Sequence, residues 1–198
     1  VRYADDILIF APTKRKAEQY QKIATGLLES LKLIVNTEKT HICNVSQGVK
    51  YLGFLIREKY VSIDKDRIRR FKDKIRSLTP RNSGIPLTKI IERLTPVLRG
   101  WGHYFRVANC AGVFSDLMEW IRRRLRMKKM REWKSWKAFH KQLHRRGFKG
   151  ECPKISMTRW RNSACFHMSF ALPNRWFAEM KLFDLTSIST GVLFNYIE

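Results

Sequence analysis

Two adjacent aspartates, Asp5 and Asp6, are the residues of this 198-residue chain whose type and spacing best suit catalytic chemistry. They interrupt the apolar run VRYADDILIF, which predicts a strand, a turn and a second strand, with the two aspartates at the tip. Asp-Asp is a common solvated turn. The apolar flanks, however, predict that the hairpin is buried on at least one face, where an unpaired carboxylate is costly. Mg²⁺ would remove that cost, and two such ions can clamp an in-line phosphoryl transfer. The pair by itself therefore leaves a solvated turn and a magnesium site both open.

The elements that must position these aspartates form an α+β unit over residues 1–63. Thr13 is a suitable N-cap, and KRKAEQYQKIATGLLESL after it has apolar residues every three to four positions, which predicts an amphipathic helix. LIVNTEKTHICNV and GVKYLGFLIREKYVSI follow and predict two β-rich stretches separated by turns. The predicted fold class of the chain is α+β, since the pattern becomes helical from Asp64 onward.

Residues 64–130 are predicted to form a bundle of three amphipathic helices. The first begins at Asp64, the second near Pro86, and the third runs from about Phe114 to Met127. Residues 131–198 are predicted to form a basic, irregular helical tail. The expected division is therefore 1–63, 64–130 and 131–198.

Positive charge is the most unusual property of the composition. Forty Lys and Arg residues oppose 17 Asp and Glu, a formal net charge of +23, which predicts a polyanionic partner and most often nucleic acid. Residues 120–149 hold thirteen Lys or Arg and one Glu. Any single one of these cations suits a solvated side chain equally well, but together they predict an RNA-contacting surface. The predicted surface comprises Arg122, Arg123, Arg124, Arg126, Lys128, Lys129, Arg131 and Lys134, with Lys137, Lys141, Arg145 and Arg146 behind it.

Other residue types limit the remaining function classes. Trp101, Trp120, Trp133 and Trp136 are predicted to pack in the core rather than to stack on bases. His140 and His144 have the spacing of a zinc pair, but no Glu lies between them and no third ligand is evident, so phosphate contact is the better prediction. The four cysteines form no C-x-x-C pair, which argues against a zinc site or a disulfide framework. No apolar run approaches the ~18 residues that a membrane helix needs, so no membrane partner is expected.

Several motifs together resemble one known family. YADD on a hairpin resembles the metal-binding motif of reverse transcriptases. LKLIVNTEKT resembles the motif that follows it, and VKYLGFLI resembles the primer-grip hairpin. PVLRGWGHYF, followed by FSDLMEWIRRRLR, resembles the maturase-specific thumb of group II intron proteins, and ALPNRWFAEMKLFDLTSI is similar to the C-terminus of bacterial members that lack an endonuclease domain. The resemblance covers essentially the whole chain in the correct order.

The resemblance implies catalytic roles for three residues. Asp5 would ligate the catalytic Mg²⁺ ions, and Asp6 would assist at the metal or by hydrogen bonding. Lys39 would stabilise or protonate the departing pyrophosphate, although a solvated lysine fits its position equally well.

The resemblance also implies four contacts with primer and template. Tyr3 would lie against the primer–template near its growing end, and Ala4 would be small enough to leave room for it. Leu52 and Gly53 would set the primer-grip turn, where a glycine permits close approach of a nucleic-acid backbone.

The implied protein is a bacterial, cytoplasmic RNA-directed DNA polymerase and maturase that uses Mg²⁺, with a palm end at 1–63, a thumb at 64–130 and an RNA-binding tail at 131–198. Its partners would be intron RNA and an RNA/DNA primer–template. These polymerases also need fingers and a further Asp upstream of YADD, and Val1 lies inside a strand-like run, so the chain is expected to be a C-terminal segment that is inactive as a polymerase alone. Two alternatives stay open: a stand-alone RNA-binding splicing factor, and one half of a split reverse transcriptase completed by an N-terminal half.

Overall fold

The computed structural model describes residues 1–191, which fold as two compact units, one over residues 1–61 and one from residue 62 onward. Small antiparallel sheets and several helices confirm the α+β class. The division at 1–63, 64–130 and 131–198 stays a prediction. None of the helices in the described residues has the length and apolar composition needed to cross a bilayer.

The first unit contains short strands and one long helix. Its elements are β1 (Arg2–Tyr3), β2 (Asp6–Ile7), α1 (Lys14–Ser30), β3 (Val49–Tyr51) and β4 (Phe54–Ile56), and β5 (Val61–Ile63) follows at its end. β1 pairs antiparallel with β2, and the second sheet has the order β3-β4-β5. The helix begins where the sequence predicts, because the Thr13 side chain accepts a hydrogen bond from the Lys16 backbone N–H at 3.3 Å.

The first unit buries little of its apolar surface. Val49 is its one buried residue among those described, and α1 buries none. On the apolar stripe of α1, Ile23, Leu27 and Leu31 are 53%, 63% and 69% exposed. The expectation that the aspartate hairpin is buried is therefore wrong for this chain, because a unit of this size has too few residues to cover both its sheets and its helix.

The β-rich stretch predicted over LIVNTEKTHICNV is also wrong in part, since no strand forms there. The Asn36 carbonyl accepts hydrogen bonds from the backbone N–H groups of Lys39 and Thr40, which closes a turn in the middle of the stretch. β-prone residues need a neighbouring strand for their backbone groups, and none pairs with this stretch in the described residues.

The second unit is helical. Its helices are α2 (Lys65–Leu78), α3 (Leu87–Phe105), α4 (Ala111–Trp133), α5 (Trp136–Arg145), α6 (Phe166–Ala171) and α7 (Asn174–Glu179), with 3₁₀ turns at Trp160–Ala164 and Leu185–Ser187. The three predicted helices are confirmed. The third is longer than predicted and passes through Met130, where the predicted thumb ends.

Helix α4 is the centre of the second unit. It contacts α3, α5 and both 3₁₀ turns. Phe114, Leu117, Ile121 and Leu125 on this helix are 1% exposed or less, so they form the core against these neighbours. Because α4 is surrounded, its basic residues cannot all face solvent. The position of each residue on the helix therefore determines whether its charge pairs with groups inside the protein or is available to a partner.

Candidate nucleic-acid interface

The aspartate pair lies on a tight hairpin in the first unit. Tyr3 pairs with Asp6 across the strands, so Ala4 and Asp5 form the tip and Asp6 belongs to β2. Ala4 has a φ of 53°, the left-handed conformation that glycine usually supplies in such turns. The Tyr51 hydroxyl donates to the Asp6 carbonyl oxygen at 3.3 Å and connects this hairpin to β3.

The donor chemistry of the two aspartates fits a magnesium ion in part. Both side chains are exposed carboxylates on adjacent residues, the ligand type that Mg²⁺ prefers. No group of three or more His, Cys, Asp or Glu residues that could hold a metal occurs in residues 1–191. Asp5 and Asp6 can therefore supply two ligands, and the rest of a shell would have to come from water and substrate phosphates.

The predicted primer-grip turn has unusual backbone geometry. Leu52 and Gly53 have φ values of 50° and 87° and connect β3 to β4, in which Tyr51 pairs with Phe54. Two positive φ values match a type I′ hairpin, which is unfavourable for a residue as large as leucine. Lys39 is exposed, and its backbone N–H donates to the Asn36 side-chain oxygen at 3.1 Å. This contact involves only the backbone of Lys39 and does not position its ammonium group. The roles assigned to these residues stay predictions.

Arg126, one of the predicted RNA contacts, lies inside the second unit. It is 8% exposed, and its Nε donates to the Leu172 carbonyl at 3.1 Å, while Nη2 donates to the Asn174 side-chain oxygen at 3.2 Å. Its guanidinium carbon lies 5.6 Å from the centre of the Phe177 ring. Burial lowers the pKa of Arg126, and nearby Arg122 lowers it further, while Glu119 acts in the opposite direction. This arginine connects α4 to the segment around α6 and α7.

Three further cations on α4 hold the loop between α2 and α3. Lys128 is 6% exposed, and its Nζ donates to both the carbonyl and the hydroxyl of Ser83. Arg131 donates to the Asn82 side chain. Arg124 donates from Nε to the Thr79 hydroxyl at 2.7 Å and from Nη2 to the Thr79 carbonyl at 2.8 Å. The loop backbone thus has partners on the central helix.

Two more residues of the predicted RNA-contacting surface, Arg122 and Lys129, form ion pairs with carboxylates. Arg122 forms an ion pair with Asp184, which precedes the second 3₁₀ turn. Lys129 pairs with Glu132 at 2.9 Å, and Glu132 also accepts the Leu87 backbone N–H at 2.6 Å, at the start of α3. Much of the predicted RNA surface is therefore engaged within the protein.

The remaining predicted cations face solvent to differing degrees. Lys134 and Arg145 are exposed, and Arg146 is half-buried with its Nη2 4.0 Å from Glu179. The structure thus spreads the predicted surface over interior and exterior positions rather than assembling it on one face. RNA contact by each of these residues stays a prediction.

A cationic and aromatic group that sequence reasoning missed lies beside α4. Arg81, Arg123 and Arg124 have their guanidinium carbons 4.9, 4.9 and 5.9 Å from the centre of the Trp160 ring. The nearby signal in the sequence is the placement of Trp160 between Arg159 and Arg161, which gives an aromatic ring flanked by charge. No feature of the sequence near Trp160, however, indicates that its ring lies beside Arg81.

Trp120 has a similar environment. Arg124, Arg76 and Lys72 lie 5.3, 5.5 and 5.9 Å from its ring centre. Burial lowers the pKa of Arg124, and the positive charges of Arg81 and Arg76 lower it further. Several cations therefore share a small region and repel one another.

Trp101, His140 and His144 each contact neighbouring groups of the protein. Trp101 stacks on Phe71 with ring centres 4.1 Å apart, which confirms the core role predicted for it. His140 Nε2 lies 3.0 Å from the Pro153 carbonyl, and His144 Nε2 lies 3.8 Å from the Cys152 sulfur. These two histidines therefore contact different groups of the same loop.

Comparison with protein families gives two matches in chain order. Residues 1–56 match the family described as reverse transcriptase (RNA-dependent DNA polymerase), and residues 68–147 match the group II intron maturase-specific domain. Together the matches cover more than half of the chain and include the aspartate hairpin, the Leu52–Gly53 turn and helix α4. A comparison with curated proteins found no match. The chain therefore contains a reverse transcriptase region followed by a group II intron maturase-specific region, which is the order of these two regions in a group II intron reverse transcriptase and maturase.

Proposed function

We propose that this chain is a C-terminal segment of a group II intron-encoded RNA-directed DNA polymerase and maturase, and that it binds intron RNA and assists splicing. The observation that carries the proposal is the charge of the maturase-specific region, where Arg81, Lys134 and Arg145 are exposed within the matched residues. A formal net charge of +23 favours association with a polyanion, and RNA in contact with these side chains would be such a partner.

In the complete polymerase, Asp5 and Asp6 would hold Mg²⁺, which would supply charge stabilisation for phosphoryl transfer. The chain's own contribution is to place two carboxylates at the end of a hairpin, where a primer terminus can reach them. Tyr3 and the Leu52–Gly53 turn would position the primer strand. A DNA-synthesis activity of these 198 residues alone is not expected, because the two adjacent carboxylates provide only part of a two-metal site.

A salt titration of RNA affinity tests the binding proposal. We expect the chain to bind a structured intron RNA with an affinity that falls steeply with salt. A protein that makes about six phosphate contacts loses roughly 10³-fold in affinity between about 50 and 200 mM salt. An affinity that does not change with salt, or no binding at low salt, would contradict the proposal.

A second candidate, one half of a split reverse transcriptase, is favoured by the exposed apolar stripe of α1, since Ile23, Leu27 and Leu31 lack cover in this unit. The partner would be a polypeptide that carries the fingers and the further palm aspartate. Primer extension on an RNA template distinguishes the two. Synthesis only after addition of that polypeptide, with loss in Asp5→Ala, supports the split polymerase. Robust synthesis by the chain alone would overturn the expectation of inactivity, and RNA binding without any complementation would favour a stand-alone splicing factor.

A further inference from the structure

The side chains around Trp160 form a compact cationic group, defined here as the Trp160 cluster: Arg81, Arg123, Arg124 and Trp160. The three guanidinium carbons all lie within 5.9 Å of one ring centre. Arg81 comes from the loop between α2 and α3, the other two arginines come from α4, and Trp160 begins a 3₁₀ turn. Three separate segments of the second unit therefore bring like charges to one indole ring.

Two arginines of the cluster lack acceptors among residues 1–191. Arg124 donates hydrogen bonds to Thr79 from both Nε and Nη2. In contrast, neither Arg81 nor Arg123 forms an ion pair or a side-chain hydrogen bond with any of residues 1–191, and the covered Nε of Arg123 has no partner. A guanidinium carries five N–H donors in its plane, and stacking on a ring uses none of them.

The same helix shows what a structural role for such cations looks like. Arg126 and Lys128, three and five residues after Arg123, donate hydrogen bonds to carbonyl oxygens of the protein. Arg123 and Arg81 lie against the Trp160 ring instead, and their donors, apart from the covered Nε of Arg123, are left for an external acceptor. Like charges at such close range repel, and an anion bound among them would relieve that repulsion.

We propose, on the basis of the RNA binding proposed above, that Arg81 and Arg123, stacked on Trp160, bind the phosphodiester backbone of an RNA strand. The planar fork of arginine matches phosphate oxygens in geometry, and each such bond is charge-assisted. Arg81 is exposed and Arg123 is half-buried, and contact with the ring would orient both guanidinium groups before RNA binds. Arg76, which lies near Trp120, extends the positive region, although Asp73 accepts a hydrogen bond from it at 2.6 Å.

The test measures RNA affinity against salt for Arg81→Gln, Arg123→Gln and the double variant of the 198-residue chain. Arg93→Gln is the matched control, because Arg93 is an exposed cation on α3 that contacts no indole ring in the described residues. We expect the double variant to lose roughly 10-fold or more in affinity at moderate salt, and its salt slope to fall by about 1.4, the value for two single-strand phosphate contacts. The control should lose less than about two-fold.

The outcomes separate this inference from the proposed function. If the wild-type chain does not bind RNA at low salt, the proposed function itself fails. If the wild type binds and the cluster variants match Arg93→Gln in affinity and slope, only the Trp160 cluster is refuted. Thermal unfolding checks that each variant is folded. If Arg123→Gln lowers the unfolding midpoint, the test relies on the exposed Arg81 instead. Arg81→Lys keeps the positive charge but loses the planar guanidinium, so it should bind RNA more weakly than wild type with an unchanged salt slope. Wild-type RNA affinity in Arg81→Lys would refute the cluster.

Discussion

Replacement of Arg126 by methionine tests whether the basic residues of α4 stabilise the protein or bind RNA. The substitution keeps most of the side-chain volume but removes the hydrogen bonds to the Leu172 carbonyl and the Asn174 side chain, and the contact with Phe177. Hydrogen bonds from a charged donor contribute about 1.5–3 kcal/mol each, and a carbonyl left buried and unpaired costs about 1–3 kcal/mol. Release of the guanidinium from burial offsets part of this loss.

The net expectation for Arg126→Met is a loss of about 2–3 kcal/mol in the free energy of unfolding. Urea unfolding followed by tryptophan fluorescence measures it, and the slope of the transition should not change. Arg145→Met is the matched control, because Arg145 is exposed near the end of α5 and its loss should leave the unfolding midpoint nearly unchanged.

RNA affinity, measured where both variants are folded, completes the test. Because Arg126 is 8% exposed and its donors are occupied, its replacement should reduce affinity no more than Arg145→Met does. Wild-type stability combined with a large loss of RNA affinity in Arg126→Met would refute the assignment of this arginine to the interior.

Three further predictions concern the packing around Gly102 and the chemistry of the Cys110 thiol. An added Cβ at Gly102 would lie 2.6 Å from Ile188 and 2.7 Å from Leu185, whereas one at Gly100 on the same helix meets nothing within 4 Å. Gly100→Ala should therefore stabilise the folded protein by up to about 1 kcal/mol through helix propensity. Gly102→Ala should destabilise it by about 1–2 kcal/mol. Shifts of the thermal unfolding midpoint in the same direction for both variants would contradict the packing around Gly102. Burial raises the pKa of the Cys110 thiol to about 11, so this thiol should react with a disulfide reagent at pH 8 only after unfolding, whereas the exposed Cys43 reacts in the native state. Since the unfolded chain loses that thiol proton near the ordinary value of 9.0 and the folded chain holds it to about 11, the free energy of unfolding should fall as pH rises through this window, and a rise there would contradict the burial.

Features that depend on neighbouring residues were predictable from the sequence. The Thr13 and Asp64 side chains cap α1 and α2 as their positions suggest, and the β3–β4 hairpin forms around Leu52 and Gly53. The order of the motifs also indicated the reverse transcriptase and maturase-specific regions that the two matches show. Such features are local because capping, turn formation and helical periodicity each involve residues within a few positions of one another.

The burial of the aspartate hairpin could not be predicted in the same way. Apolar residues beside Asp5 and Asp6 indicate a strand that can be covered, but whether another element covers it depends on the rest of the fold. In the described residues the hairpin is exposed.

The sequence by itself determined the two hairpins, the first four helices in outline, the helical character of the second unit and an excess of positive charge that favours a polyanionic partner. Only the tertiary structure decided which cations are available for that partner. RRRLRMKKM has the composition of a solvated surface, yet Arg126 and Lys128 end on acceptors 46 and 45 residues away in the chain. Long basic side chains can span an interior and keep their charge paired with distant carbonyl oxygens. Which of them find such a partner, and which stack on Trp160 with free donors, depends on contacts between segments remote in sequence.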